Sequence, residues 1–349
     1  MASKPLLLLF LSLNINILIS QQQEYSVISV VFYNVENLYD TKNDTLTFDD
    51  ERTPEGKYQW SRDRYSDKLQ KISKTLENVT LEVAKSPPDI IGIAEIENLE
   101  VLKDLIATPA LQNSNYGIVH RDSPDERGID VAFLYKKDKF IPNHTAFRKL
   151  IIYNEEGFLD KTRDQLVVDG YIDGELFCFV VNHWPSRSGG EQRSKPLREA
   201  AARLNKKIID SLRWKNPDIK IISMGDFNDN PTDDSFKKIL RTKGSRNELM
   251  ENDLYNPMEK LFKKGIGSLA YRDKWSLFDQ IYITENLIQP QSFFRFWKAG
   301  VYNAPYLKTK TGRYKGYPFR SYASGAYTAG YSDHFPVYMY LVKEVSNRD

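Results

Sequence analysis

Cysteine is almost absent. Cys178 is the only one in 349 residues, so no disulfide can close within the chain and no set of thiolates supports a zinc cage. A protein of this size must rely on its core instead, and 41% hydrophobic residues are enough for a large one. An excess of either charge is also missing. Lys and Arg number 49 against 47 Asp and Glu, a formal net charge of +2. No global basic field points to nucleic acid, and no acidic excess points to disorder. The sequence holds no internal repeat at a solenoid period and no Ser/Gly linker, although length alone would allow two domains.

One N-terminal stretch, "MASKPLLLLFLSLNINILISQQQ", reads as a secretory signal. Lys4 supplies the positive start, Pro5 to Ile19 is mostly apolar, and small Ser20 precedes a polar run. It is short for a membrane span and lacks a basic stop-transfer flank. No Cys follows it, which excludes a lipid anchor on cysteine. Residues 1–20 are therefore expected to be cleaved, leaving one domain over 21–349, secreted or periplasmic, without stable membrane insertion.

Seven apolar runs read as buried strands: 27–33, 89–94, 130–135, 176–181, 219–223, 280–284 and 336–342. They are rich in β-branched and aromatic residues and bounded by Gly, Pro, Asn or Asp. Nearly continuous apolar strands imply sheets covered on both faces. Between them, Tyr65, Leu69, Ile72, Leu76, Val79 and Val83 step by three and four, the stripe of a helix. A second helix is predicted from near Ser194, with Pro196 in its first turn and Ala201, Leu204, Ile208 and Leu212 on its apolar face. Thr232 followed by Asp233 and Asp234 predicts an N-cap. Residues 40–63 read as a long polar surface loop. The class is α/β.

The strand ends share one chemistry. "VVFYNVEN" closes with Asn34 and Glu36, "IIGIAEIEN" with Glu95 and Glu97, "CFVVNHW" with Asn182 and His183, and "IISMGDFN" with Asp226 and Asn228. Asp279 opens the strand in "FDQIYIT", and Asp333 and His334 precede the last one. Each taken singly is a common turn or cap residue. Six ends alike are not. Ionised carboxylates at such a rim must be solvated, paired or bound to metal. Hard divalent cations take oxygen ligands, and Mg²⁺ usually takes one or two carboxylates with water and phosphate. Glu95, helped by Glu36, suits that role. If 226–228 is extended, Asp226 and Asn228 point the same way and Phe227 into the core. Asp229 and Asn230 suit turn chemistry, and His120 and His144 read as ordinary surface or loop residues.

"YNVENL", "GIAEIEN", "NHWPSR", "GDFND", "FDQI" and "YSDHFPV" stand in the order of the endonuclease/exonuclease/phosphatase superfamily, which the chain resembles from about Ser26 to Leu341. The wording looks most like an exported bacterial, endonuclease-like branch. The resemblance implies a deoxyribonuclease I-like fold: two packed mixed β-sheets flanked by helices, a four-layer sandwich. It also implies Mg²⁺-dependent hydrolysis of phosphate esters, with Mn²⁺ or Ca²⁺ as alternatives. By motif His183, Asp226, Asn228, Asp279 and His334 are the catalytic set, Asn34 contacts substrate, and Glu95, Glu36 and Asp333 are the metal-side carboxylates. Asp279 is expected to orient His334, which acts either as base or as cation.

From Arg295 to Tyr331 seven basic residues interleave with ten aromatics and no acid. Basic groups can hold backbone phosphates and aromatic faces can stack on bases, so Arg313 and Lys315 are expected to bind substrate. The alternative is a packed loop with a solvated basic face. The expected activity is that of an exported endonuclease on DNA or RNA, acting as a monomer. The alternatives are a phosphatase or a lipid or inositol phosphate phosphodiesterase on the same fold, or an inactive binding protein.

Overall fold

A computed structural model of the chain describes residues 24–154 and 156–345; the expected signal segment lies outside the described residues. Two six-stranded sheets dominate. The first runs in the order Arg295–Val301, Val337–Glu344, Tyr25–Leu38, Ile90–Ile96, Asp130–Lys136, Tyr116–Val119. The second runs Leu254–Tyr255, Asp279–Thr284, Lys220–Asp226, Glu175–His183, Gln165–Ile172, Ile141–Arg148. Each is mixed, with one parallel pair at its centre: Tyr25–Leu38 with Ile90–Ile96, and Lys220–Asp226 with Glu175–His183. All seven expected strands are present.

The apolar residues sort into three layers. Val30, Phe32, Ile90 and Phe133 of the first sheet meet Phe177, Phe179, Ile222 and Met224 of the second in the central layer. The outer face of the first sheet packs on the helix Arg62–Val79 through Leu69, Ile72 and Leu76. The outer face of the second packs on the helix Glu191–Lys215 through Ala201, Ala202 and Ile208. Helix, sheet, sheet and helix therefore stack as four layers, each apolar face covered by the next.

Local details depart from expectation in three places. Glu191–Lys215 starts one turn early, at Gly190 with φ +110°, and Pro196 falls in the second turn. Ser194 Oγ donates back to Gly190 O at 2.8 Å instead of capping a new start. Thr232 caps nothing: the short helical turn is Ser235–Leu240, preceded by Asp234. Asp233 Oδ2 instead accepts from Asn230 N at 2.7 Å and pairs with Arg187. The 40–63 loop is polar as expected but pinned, because Trp60 is buried and its Nε1 donates to Tyr39 O at 2.9 Å.

Candidate active site

Strand direction brings the polar ends to one edge. Four strands finish there and Asp279–Thr284 starts there, so register alone sets a row. Asp226 lies directly between His183 on one neighbour and Asp279 on the other. Gly225, one step back, pairs with Asn182, and a Cβ on it would stand 2.4 Å from Asn182 O; only glycine lets the two strands lie this close.

The first sheet joins through Asn34, whose Nδ2 donates to Asp226 Oδ2 at 3.0 Å and whose Oδ1 accepts from Glu36 N at 3.0 Å. Beyond Asn34 the register slips, and it slips again beyond Ala94. Glu36, Asn37 and Glu95 sit at these bulges with φ of +53°, +58° and +64°. Such bulges re-aim side chains, and non-glycine residues held at positive φ cluster at functional sites. Glu95 Oε2 accepts from Asn37 N at 3.0 Å, and its Oε1 lies 3.7 Å from His183 Nε2. The same His183 nitrogen is 3.7 Å from Asp226 Oδ2.

His334 completes the group. Its Nδ1 donates to Asp279 Oδ2 at 2.6 Å, and its Nε2 is 3.9 Å from both Asp226 Oδ2 and Asp333 Oδ1. Asp279 Oδ2 also accepts from Ser268 Oγ at 2.5 Å. Glu95, His183, Asp226, Asp279 and His334 thus form one contiguous cluster. Glu36 and Asp333 stand at its border and share Arg320, which reaches Glu36 Oε1 at 3.2 Å and Asp333 Oδ2 at 3.1 Å. Glu36 Oε2 accepts from Ser321 N at 2.6 Å, with Lys68 Nζ 3.9 Å away. Both Glu36 oxygens are engaged.

Asn228 differs from expectation. The strand ends at Asp226 and Asn228 takes φ +52°, so the two do not alternate along an extended segment. Asn228 N donates to Asp226 Oδ1 at 3.0 Å and its Nδ2 to Trp184 O at 3.0 Å. Phe227 does enter the core, against Trp184 and Phe236. Asp229 is more than a turn residue: it is buried and accepts from Arg198 Nε at 2.6 Å and Ser235 Oγ at 2.8 Å. His120 lies in the loop after Tyr116–Val119, one of its two expected settings, with its ring shielded and 3.2 Å from Asp130.

Electrostatics split the two histidines. Burial alone would lower the His334 pKa, but the Asp279 and Asp226 carboxylates outweigh it and hold it well above the ordinary value. Burial pushes His183 well below its ordinary value, helped by Arg163 and Arg127. Charge is therefore favoured on His334 and disfavoured on His183. Burial raises Asp226 to about 7, against the pull of His334. Titratable neighbours pushed apart in this way mark acid–base sites.

The residues suit a hard divalent cation. Asp279 Oδ1 is buried and has no hydrogen-bond partner among the described residues. Glu95 gives Oε2 to Asn37 N, and its Oε1 lies 3.7 Å from His183 Nε2. Asp226 and Asp279 each bring a carboxylate oxygen into one group less than 4.8 Å across, beside His334, whose Nδ1 is already given to Asp279. Oxygen-rich donors of this kind match Mg²⁺, Mn²⁺ or Ca²⁺ better than a soft ion.

The basic-aromatic segment divides. Arg295 and Trp297 lie on the edge strand, where Arg295 pairs with Glu344 and Trp297 packs on Tyr340. Tyr322, Tyr327 and Tyr331 cover the helix Arg62–Val79 and its loop, against Tyr58, Trp60 and Lys71. Arg313, Tyr314 and Tyr317 line a cavity of about 400 Å³ that Asp333 and Arg320 also line. Lys315 is exposed and outside that lining.

Three residues were missed. Ser268 holds Asp279, and nothing in its local sequence marks it. Arg320 lay unassigned within the basic segment. Lys68 is buried and donates to Ser321 Oγ and Tyr331 O. It carried a signal: it falls three residues after Tyr65 and four before Ile72, a charge on an apolar face.

The family model described as the Endonuclease/Exonuclease/phosphatase family matches residues 29–343, so the chain belongs to that family. Its members are metal-dependent phosphoric ester hydrolases, and the chain is one by class. Among solved structures it is similar to a humanised D. rerio TDP2, with a TM-score of 0.55 and 13% identity over 90% of this chain and 98% of that one. It is also similar to an endonuclease/exonuclease/phosphatase family protein from Bacteroides thetaiotaomicron, with a TM-score of 0.52 and 20% identity over 92% and 100%. A mannosyl-6-phosphatase from Bacteroides thetaiotaomicron VPI-5482 gives 0.52 and 21% over 91% and 99%. At these identities the likeness is one of fold. No curated protein matches the chain by sequence.

Proposed function

We propose that the chain is an exported, Mg²⁺-dependent phosphodiesterase that cuts the backbone of nucleic acid. The observation that carries a diester over a monoester is a pair of concavities that meet at Arg320 and Ser324, beside the cluster. One is lined by Asp333, Arg313 and Tyr314, the other by Glu36, Arg52, Lys57 and Tyr58, and Arg320 and Ser324 line both. A chain substrate has a residue on each side of the scissile phosphate; a terminal monoester has one. A D. rerio TDP2 of the same fold has been solved with a single-strand DNA product, which is compatible with this reading. Export rests on Lys4, the apolar run after it and Ser20.

In this reading Glu95 is the main carboxylate for the cation, with Glu36 and Asp333 behind it. Once bound, the cation neutralises charge on the phosphate and the leaving oxygen. His334 acts as a cation rather than a base, donating through Nε2 to a phosphate oxygen, while Asp279 orients its ring and stabilises its charge through Nδ1. Asp226, oriented by Asn34 and Asn228 N, accepts the proton of the attacking water. Neutral His183 hydrogen-bonds the phosphate.

The test is release of nitrophenol from bis-p-nitrophenyl phosphate and from p-nitrophenyl phosphate, each with and without EDTA. Faster diester turnover, abolished by EDTA, is expected, from protein recovered outside the cytoplasm with its N-terminus near residue 21. A better rate on the monoester would remove the nuclease reading in favour of a phosphatase.

A further inference from the structure

The cavity beside Asp333 has two walls of different origin. One is the hairpin made by Leu269–Tyr271 and Lys274–Ser276. The other is the segment 309–324. Tyr317 joins them, its hydroxyl donating to Asp273 Oδ1 at 2.5 Å and accepting from Asp273 N at 2.7 Å. Ser268 then fixes the hairpin to the cluster. Its N donates to Ser276 O at 2.8 Å, its O accepts from Phe335 N at 2.7 Å, and its Oγ donates to Asp279. The cavity is thus built rigidly onto the residues that hold His334.

A run of rings leads outward from that histidine. Phe335 stacks under Trp275 at 6.1 Å, Trp275 meets Tyr317 at 5.8 Å, and Tyr317 meets Tyr314 at 5.6 Å. The outer rings are open to solvent: Trp275 is 37% exposed, Tyr314 49% and Tyr271 67%. Arg272 and Arg313 lie over Tyr271 and Tyr314 and pair with no carboxylate among the described residues. The hairpin turn is Arg272–Asp273, with φ of +48° and +61°. Asn-Gly would occupy such a turn without strain, so keeping Arg and Asp there needs another reason.

We infer that this cavity receives one unstacked nucleoside of a single strand, on one side of the scissile phosphate. The inference rests on the phosphodiesterase reading above. Flat exposed rings with unpaired guanidiniums are the chemistry that stacks on bases and holds the flanking phosphate. About 400 Å³ is within the range of small-ligand pockets and suits one nucleoside. A base inside a duplex stays stacked and paired and cannot enter without being flipped out. Single strands are therefore the preferred substrate.

The experiment measures binding of a fluorescein-labelled oligonucleotide by anisotropy in EDTA, so that cleavage does not intervene. It uses wild type, Tyr271→Ala/Tyr314→Ala and Arg313→Ala, with Trp297→Ala as a control from the same basic-aromatic segment. Single-strand affinity should exceed that for the annealed duplex about tenfold or more. The double variant should lose about tenfold or more of it, and Trp297→Ala nothing. Equal affinity for duplex, or a double variant that binds like wild type, overturns the inference. So does a double variant that instead loses turnover of a sugar phosphate while binding the strand normally. Retained strand preference without any hydrolysis of bis-p-nitrophenyl phosphate would support the cavity and defeat the hydrolytic reading.

Discussion

Asp226 meets every other member of the cluster directly or through one atom. It is buried, accepts from Asn34 and Asn228, and stands within 3.9 Å of both His183 and His334. Its proton is held to about pH 7 by burial. A base must be ionised to act, so at low Mg²⁺ the acid limb of kcat/KM should have its midpoint near pH 7. Added Mg²⁺ favours the carboxylate and should move that midpoint to lower pH. A limb that stays put as Mg²⁺ is titrated would remove Asp226 from the role. At this scale the sequence was informative about which residues gather, because a polar residue after an apolar run is carried to a rim. It was silent about what they touch. Asn228 turns to Trp184 because its backbone is left-handed, and Glu36 is engaged by Arg320 and Ser321, nearly three hundred positions away. Neither contact leaves a local trace.

Elements set the spacing that those residues need. The strand cores were legible because two-sided burial writes a continuous apolar run. Ile141–Arg148 was missed because it is a largely exposed edge strand reading "IPNHTAFR", without such a run. The bulges at Glu36 and Glu95 were missed for a different reason: they use no glycine, so no residue announces them. Gly225 has the opposite character. Gly225→Ala should push Lys220–Asp226 away from Glu175–His183, costing about 1–3 kcal/mol as for other overpacked sites, read from denaturant midpoints. It should also lower kcat, since Asp226 and His183 ride on the displaced strands. An alanine variant with wild-type stability would mean that the 2.4 Å approach to Asn182 O is relieved elsewhere.

At the scale of the molecule, the cluster spans the seam between the sheets: Asn34, Glu36 and Glu95 come from one, His183, Asp226 and Asp279 from the other. A cation held there is expected to bind the folded chain and not the unfolded one. Mg²⁺ at about a hundred times its dissociation constant should then add about 2.7 kcal/mol of stability, visible as a rise in thermal midpoint. Glu95→Gln should remove most of that rise while folding normally. A variant that responds to Mg²⁺ like wild type would place the ion elsewhere. No helix among the described residues is long and apolar enough to cross a membrane.

The strand Val337–Glu344 enters the first sheet between Arg295–Val301 and Tyr25–Leu38, so the last of the described strands is an interior one, and Asp333 and His334 directly precede it. Seating the histidine is therefore tied to closing that sheet. A partly folded chain without this strand can neither complete the sheet nor hold His334 against Asp279, so the hydrolytic centre and the finished fold arrive together.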